Sequence, residues 1–158
     1  MEKIIFAMCF LLVASCSDAQ KLKDSDVPSA VKTSFSTMYP DVKTVKWEKE
    51  NGKYEAEFDQ NNVETSALFD AKGTFVQKEV EIQVSELPAA ASNYVSSNLS
   101  GQKITEASKI SDANGTVTYE AEVEKGDYLF DQSGNFLKKV SDENEQGKED
   151  DDKEDDDK

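Results

Sequence analysis

A chain of 158 residues with a net charge of −15 carries 33 acidic residues against 18 basic ones, and with neither His nor Arg every cation is a Lys. Those absences exclude Ser-His and Cys-His relays, imidazole zinc sites and bidentate guanidinium clamps for phosphate or carboxylate. The acidic balance excludes the basic stripe that a nucleic-acid binder needs.

The first predicted element, residues 1–16, is an export signal. Lys3 supplies the positive n-region, and residues 4–14 are almost unbroken apolar, too short a run to span a bilayer. Leu12-Val13-Ala14-Ser15-Cys16 then fits the bacterial lipobox, which predicts a lipidated Cys16. A rival cleavage lies after Ala19, where Ser17 and Ala19 place small residues at the recognition positions. Lipidation at Cys16 removes Cys9 with the signal and leaves a mature chain without thiols, held by burial alone. The predicted location is the envelope, as an outer-membrane lipoprotein or a periplasmic or surface protein that touches membrane only through its lipid.

Residues 17–26 are polar and read as a tether. A helix follows at Val27-Pro28, with Ser25 or Asp26 near its N-cap and Pro28 in the first turn. Ala30, Val31, Ser34, Phe35 and Met38 give it one apolar face, and Tyr39-Pro40 stops it. Four strands come next. Val45 and Trp47 share a face in the first, and Asn51-Gly52 is a hairpin turn. In the second, Tyr54, Ala56 and Phe58 alternate with Lys53, Glu55, Glu57 and Asp59, so one face is buried and the other wet. Gln60-Asn61-Asn62 turns into residues 63–69, and Asp70-Ala71-Lys72-Gly73 into residues 74–82.

The order then recurs. Leu87-Pro88 opens a helix bearing Ala90, Ala91, Tyr94, Val95 and Leu99, with Gly101 after its end. Strands at residues 103–110, 117–123, 128–130 and 136–140 follow, and Tyr119-Glu120-Ala121-Glu122-Val123 repeats the earlier Tyr54-Glu55-Ala56-Glu57-Phe58. Phe130-Asp131-Gln132-Ser133-Gly134-Asn135-Phe136 likewise repeats Phe69-Asp70-Ala71-Lys72-Gly73-Thr74-Phe75. A recurrence of this length predicts a tandem repeat, with copies at residues 27–82 and 83–140. The predicted fold is α+β: tandem αββββ units whose antiparallel sheets join edge to edge, with both helices packed on one face. Tyr54, Ala56, Phe58, Tyr119, Ala121 and Val123 should lie beneath the helices.

This arrangement resembles the PepSY-like family of secreted Bacteroidetes-type proteins, whose tandem αββββ repeats are similar to the beta-lactamase inhibitor protein fold. Pro28 to Met38-Tyr39-Pro40, Val45-Lys46-Trp47-Glu48 and the repeated strand and turn motifs carry the likeness, which covers residues 27–140. The second copy departs from the first in lacking the Tyr-Pro stop and the Trp. The resemblance implies an envelope binding module, with inhibition of a hydrolase or peptidase suggested by fold analogy.

Candidate sites follow from the faces. Trp47 is either an aromatic anchor for a partner or a core residue sharing the face of Val45. Glu55, Glu57, Glu120 and Glu122 can meet a basic partner, against the plainer reading of a solvated strand face. A glycosidase acid pair is not supported, because nothing in the pattern desolvates one carboxyl. The Asp70 and Asp131 loops lack the spaced acids of a calcium loop and read as turns. Residues 141–158 hold eleven acids and three Lys, a tail too polar to fold. Its Asp150, Asp151, Asp152, Asp155, Asp156 and Asp157 are weak cation ligands at best, and solubilisation is the simpler role. The expected function is therefore non-enzymatic and cofactor-free: an envelope protein, a hydrolase among the candidates, held on the open sheet face. The alternative is a Ca²⁺-binding envelope protein that works through its acidic tail.

Overall fold

Alternating apolar and polar residues separated by turn signals become a succession of hairpins. The computed structural model describes residues 20–140. Its chain runs through β1 (Gln20–Leu22), a 3-10 turn (Asp24–Asp26), α1 (Ser29–Met38), β2 (Lys46–Glu50), β3 (Lys53–Gln60), β4 (Val63–Phe69) and β5 (Phe75–Ile82). A second 3-10 turn (Val84–Glu86) leads to α2 (Ala89–Asn98), β6 (Ile104–Asp112), β7 (Val117–Val123), β8 (Gly126–Asp131) and β9 (Phe136–Val140). The signal, Cys16 and the acidic tail lie outside the described residues.

Among the described residues, nine strands form one sheet in sequence order, each antiparallel to the next. β5 pairs directly with β6, from Gln77 opposite Asp112 to Ile82 opposite Ala107, so the sheet is continuous across the middle of the chain. Asn51 and Gly52, at φ 49° and 76°, and Asn61 and Asn62, at 54° and 66°, make the β2–β3 and β3–β4 turns. Asn and Gly tolerate this left-handed geometry, and its twist matches the flanking strands.

Two clusters pack beneath the helices. In the first, Phe35 meets Tyr39, Trp47 and Phe58 with ring centroids 5.3, 5.3 and 5.1 Å away, and Val31, Tyr54, Ala56 and Phe69 complete the layer. In the second, Leu87, Ala91, Val95, Ala107, Ala121, Val123 and Phe130 are buried, with Tyr119 half-buried against them. The six residues expected beneath the helices are all there.

Three local expectations are corrected. The tether is partly a strand: β1 pairs with β2, Leu22 lies opposite Trp47 and packs on the first cluster. A three-residue strand with one apolar side chain leaves little periodicity to read. Ser25 and Asp26 do not cap α1; the N-cap is Pro28, without a side-chain hydrogen bond, and Asp26 belongs to the 3-10 turn before it. Lys32 ties that turn to the helix by contacting the Asp24 carboxylate at 2.9 Å. Finally, Ala30 and Met38 are exposed, because a helix lying on a single sheet buries a narrow stripe, here Val31 and Phe35 one turn apart.

The Tyr39-Pro40 stop is also less decisive than its sequence suggests. Tyr39 N–H donates to Phe35 O at 2.8 Å, and Leu99 N–H donates to Val95 O at 2.9 Å, so α2 ends the same way without a proline.

Candidate functional site: the acidic open face of the sheet

Successive strand residues face opposite sides, so register assigns the face away from the helices. Lys46, Glu48, Glu55 and Glu57 lie there on β2 and β3, and Ser66 and Leu68 on β4. Glu79 and Glu81 follow on β5, then Glu106, Ser108 and Ile110 on β6. Glu120 and Glu122 on β7, with Asp127 and Leu129 on β8, complete it.

This face is not wet along its middle. Glu55 and Glu79 are 5% exposed and Glu120 is 6% exposed, and Ser66, Leu68, Ser108, Asp127 and Leu129 are buried beside them. No second layer of helix or strand covers them among the described residues. In a long twisted sheet, side chains on one face crowd one another. The expectation of solvated Glu55 and Glu120 is therefore corrected, whereas Glu57 and Glu122 are half-buried.

Burial changes their chemistry. Loss of hydration raises Glu55 to about 9, opposed by a hydrogen bond with Ser66 and assisted by the charges of Glu57, Glu79 and Glu48. Desolvation likewise lifts Glu120 to about 9, with Glu79, Asp127 and Glu122 adding repulsion. Glu79 rises to about 7, again through burial, although a Ser108 hydrogen bond favours its charged form. Glu106 also reaches about 7, through desolvation and then the Glu122 charge opposite it. At neutral pH, Glu55 and Glu120 are mainly protonated, and Glu79 and Glu106 stand near half-titration. One carboxyl oxygen on each of the four has no hydrogen-bond partner: Glu55 Oε1, Glu79 Oε1, Glu106 Oε2 and Glu120 Oε2.

The two halves distribute charge differently. Lys46 opposite Glu57, Trp47 opposite Ala56 and Glu48 opposite Glu55 occupy the register of Glu106 opposite Glu122, Ala107 opposite Ala121 and Ser108 opposite Glu120. The first half thus pairs a cation with an acid, Lys46 Nζ lying 3.6 Å from Glu57 Oε2. The second half sets two acids face to face.

Trp47 is not on this face. It is 4% exposed, beneath α1 and edge-on to Phe35, which corrects its place among the candidate partner contacts. Trp47 shares parity with Val45, and a large ring fills space that Ala107 leaves to smaller neighbours in the other half. Glu48, Glu79, Glu106 and Asp127 were missed as site residues. Glu79 was legible in part, since Val80 and Ile82 mark the core parity of β5 and place Glu79 opposite. Its burial was not, because β4 and β6 crowd it only once the whole sheet assembles.

The loops carry no comparable feature. Asp70 Oδ1 accepts from the N–H groups of Lys72 and Thr74 at 2.8 Å, and Asp112 Oδ1 from Asn114 and Thr116 at 2.8 Å. Asp131 Oδ1 accepts from Ser133 and Asn135 at 2.8 and 2.9 Å. These carboxylates are held below their usual range, chiefly by hydrogen bonds from Thr74, Thr116 and Asn135. Their acceptor capacity serves the turn. A cleft of about 270 Å³ opens on the acidic face between Gln77, Ile110, Thr118, Leu129 and Leu137.

A continuous antiparallel sheet with two helices on one face is an architecture of the beta-lactamase-inhibitor-like class. Within it, the chain belongs to the PepSY-like family, described as "Putative beta-lactamase-inhibitor-like, PepSY-like", which matches residues 15–77 and again residues 62–138. Among solved structures, a protein of Bacteroides eggerthii described as a putative periplasmic protein is similar, with TM-score 0.64 and 22% identity over 72% of this chain and 88% of that one. A DUF2874 family protein of Bacteroides uniformis gives TM-score 0.63 and 23% identity, covering 72% and 88% of the two chains. A BLIP-like protein of Bacteroides fragilis gives TM-score 0.59 and 22% identity, covering 72% and 85%. At these identities the likeness is one of fold. No curated protein gives a significant match.

Proposed function

We propose that this chain is an exported, non-enzymatic binding module whose acidic open face holds a basic surface of another envelope protein, and that it thereby regulates or inhibits a hydrolase. The observation that carries this reading is the set of four carboxyl oxygens, on Glu55, Glu79, Glu106 and Glu120, that are buried without partners. Such acceptors cost stability in the free protein, and incoming Lys or Arg side chains would satisfy them. The absence of His and Arg from the whole chain argues against relay catalysis on the same surface. Export accords with the lipobox at Cys16 and with the similar structure described as periplasmic. The reading of the fold as two tandem αββββ copies is supported by the double family match and by two helix-capped clusters.

The test compares the mature chain with an E55Q/E79Q/E120Q variant, each immobilised and exposed to an envelope extract. A basic protein retained by the first and lost by the second is the expected result, followed by assay of any retained hydrolase with and without the mature chain. Equal retention by both baits would remove the acidic face from the function.

A further inference from the structure

At the first-half end of the acidic face, we propose that Glu48, Glu55 and Glu57 form a binding site for a hard divalent cation, Ca²⁺ being the ion that fits best. One carboxyl oxygen from each residue lies within 4.8 Å of the others. Oxygens that share one calcium ion at 2.3–2.6 Å stand at most about 5 Å apart, so the three already have the spacing of a common ligand sphere. The backbone dictates this convergence. Glu48 sits directly opposite Glu55 across β2 and β3, and Glu57 is the next residue on the same face of β3.

A cluster of acids alone would be ordinary. Here, however, Glu55 is 5% exposed and its Oε1 has no hydrogen-bond partner. That buried oxygen belongs to the group that converges with Glu48 and Glu57. Glu48 and Glu55 stand directly opposite across the two strands, so an ion seated between them would meet both carboxyls at once. Lys46 reaches only Glu57 Oε2, at 3.6 Å and with its side chain 79% exposed, and leaves the Glu55 oxygen unpartnered. A cation among the three carboxyls would give the Glu55 oxygen a partner and favour the ionised form of its carboxyl.

The donor set selects the ion. Three carboxylates with no imidazole or thiolate suit Ca²⁺, Mg²⁺ or Mn²⁺ rather than zinc or copper. Ca²⁺ accepts irregular geometry and fills remaining positions with water, whereas Mg²⁺ demands a near-ideal octahedron. The second half lacks the equivalent triad, since Ser108 stands in the register of Glu48. This site goes beyond the partner-binding reading and does not depend on it.

Terbium luminescence on the full mature chain provides the test. Tb³⁺ replaces Ca²⁺ at oxygen sites, and Trp47 and Tyr54 flank the proposed ligands in sequence and can sensitise its emission. Residues 141–158 contain no Trp or Tyr, so the acidic tail brings no sensitiser of its own. The expected result is sensitised emission that Ca²⁺ displaces competitively, with affinity reduced at least tenfold in E55Q/E57Q and in E48Q, and unchanged in E120Q/E122Q. Circular dichroism checks that the variants fold, and E48Q, altering a half-buried residue, keeps the test open if the double variant does not. Emission absent from the wild type, or equal emission and affinity in E48Q and the wild type, would overturn the proposal. Neither outcome bears on capture of a basic protein, so the two readings can fail separately.

Discussion

Glu120 shows how far one residue can depart from its sequence expectation. It sits on the polar parity of β7, as its alternation with Tyr119 and Ala121 requires, yet the assembled sheet leaves it 6% exposed. Its pKa of about 9 lies above the ordinary value of 4.5. Between those values the folded chain binds a proton that the unfolded chain has released, so its contribution to stability is fully present below the ordinary value and is lost as pH rises toward 9. Gln needs no proton and offers its amide to the neighbouring carboxylates. E120Q should therefore stabilise the protein at pH 8 and change its stability little at pH 4. Urea midpoints of the two proteins at both pH values check this; a variant less stable than the wild type at pH 8 would contradict the assigned cause.

At the scale of elements, the turns clamp the helices to the sheet. Gly73 in the β4–β5 turn and Gly134 in the β8–β9 turn adopt φ of 83° and 86°. A Cβ on Gly73 would stand 2.5 Å from Ala30 O, and one on Gly134 would stand 2.8 Å from Ala91 N and Pro88 Cβ. Each turn is pressed against the first turn of its helix, so strain and collision act together. Gly73→Ala and Gly134→Ala should each cost about 2–3 kcal/mol, whereas Gly52→Ala, with open space around it, should cost only the backbone strain of about 1–2 kcal/mol. Thermal melts of the three variants rank these costs, and equal losses would mean that contact with the helix adds nothing.

The turn residues were legible because Asp70-Ala71-Lys72-Gly73 and Asp131-Gln132-Ser133-Gly134 state their geometry locally. The core parity of β3 and β7 was legible for the same reason, through Tyr54, Ala56, Phe58 and their recurrence at Tyr119, Ala121 and Val123. What escaped depended on assembly. β1 exists because β2 offers an edge to pair with, and Glu79 is buried because β4 and β6 flank it. Trp47 illustrates the boundary between the two: its parity with Val45 was visible, but only the packed rings of Phe35 and Phe58 decide which face that parity serves.

Across the whole molecule, one sheet joins two cores of unequal substance. Phe35, Trp47 and Phe58 in the first half stand where Val95, Ala107 and Val123 stand in the second, as the helix spacing and strand registers show. Aromatic side chains bury far more area than Val or Ala, so the first core should carry the larger stabilisation. The ladder between β5 and β6 couples the halves through backbone hydrogen bonds, while the helix-covered clusters remain separate. Phe35→Ala should accordingly cost about 3–5 kcal/mol, and Val95→Ala about 2 kcal/mol. Native-state hydrogen exchange extends the argument beyond these single sites. Amides of β7 and β8 should exchange through openings of lower free energy than those of β3 and β4. Phe35→Ala should then narrow or reverse that difference by loosening the stronger core. If every strand exchanges at one common free energy before and after the substitution, the continuous ladder makes the halves a single cooperative unit, and the unequal cores set only its total stability.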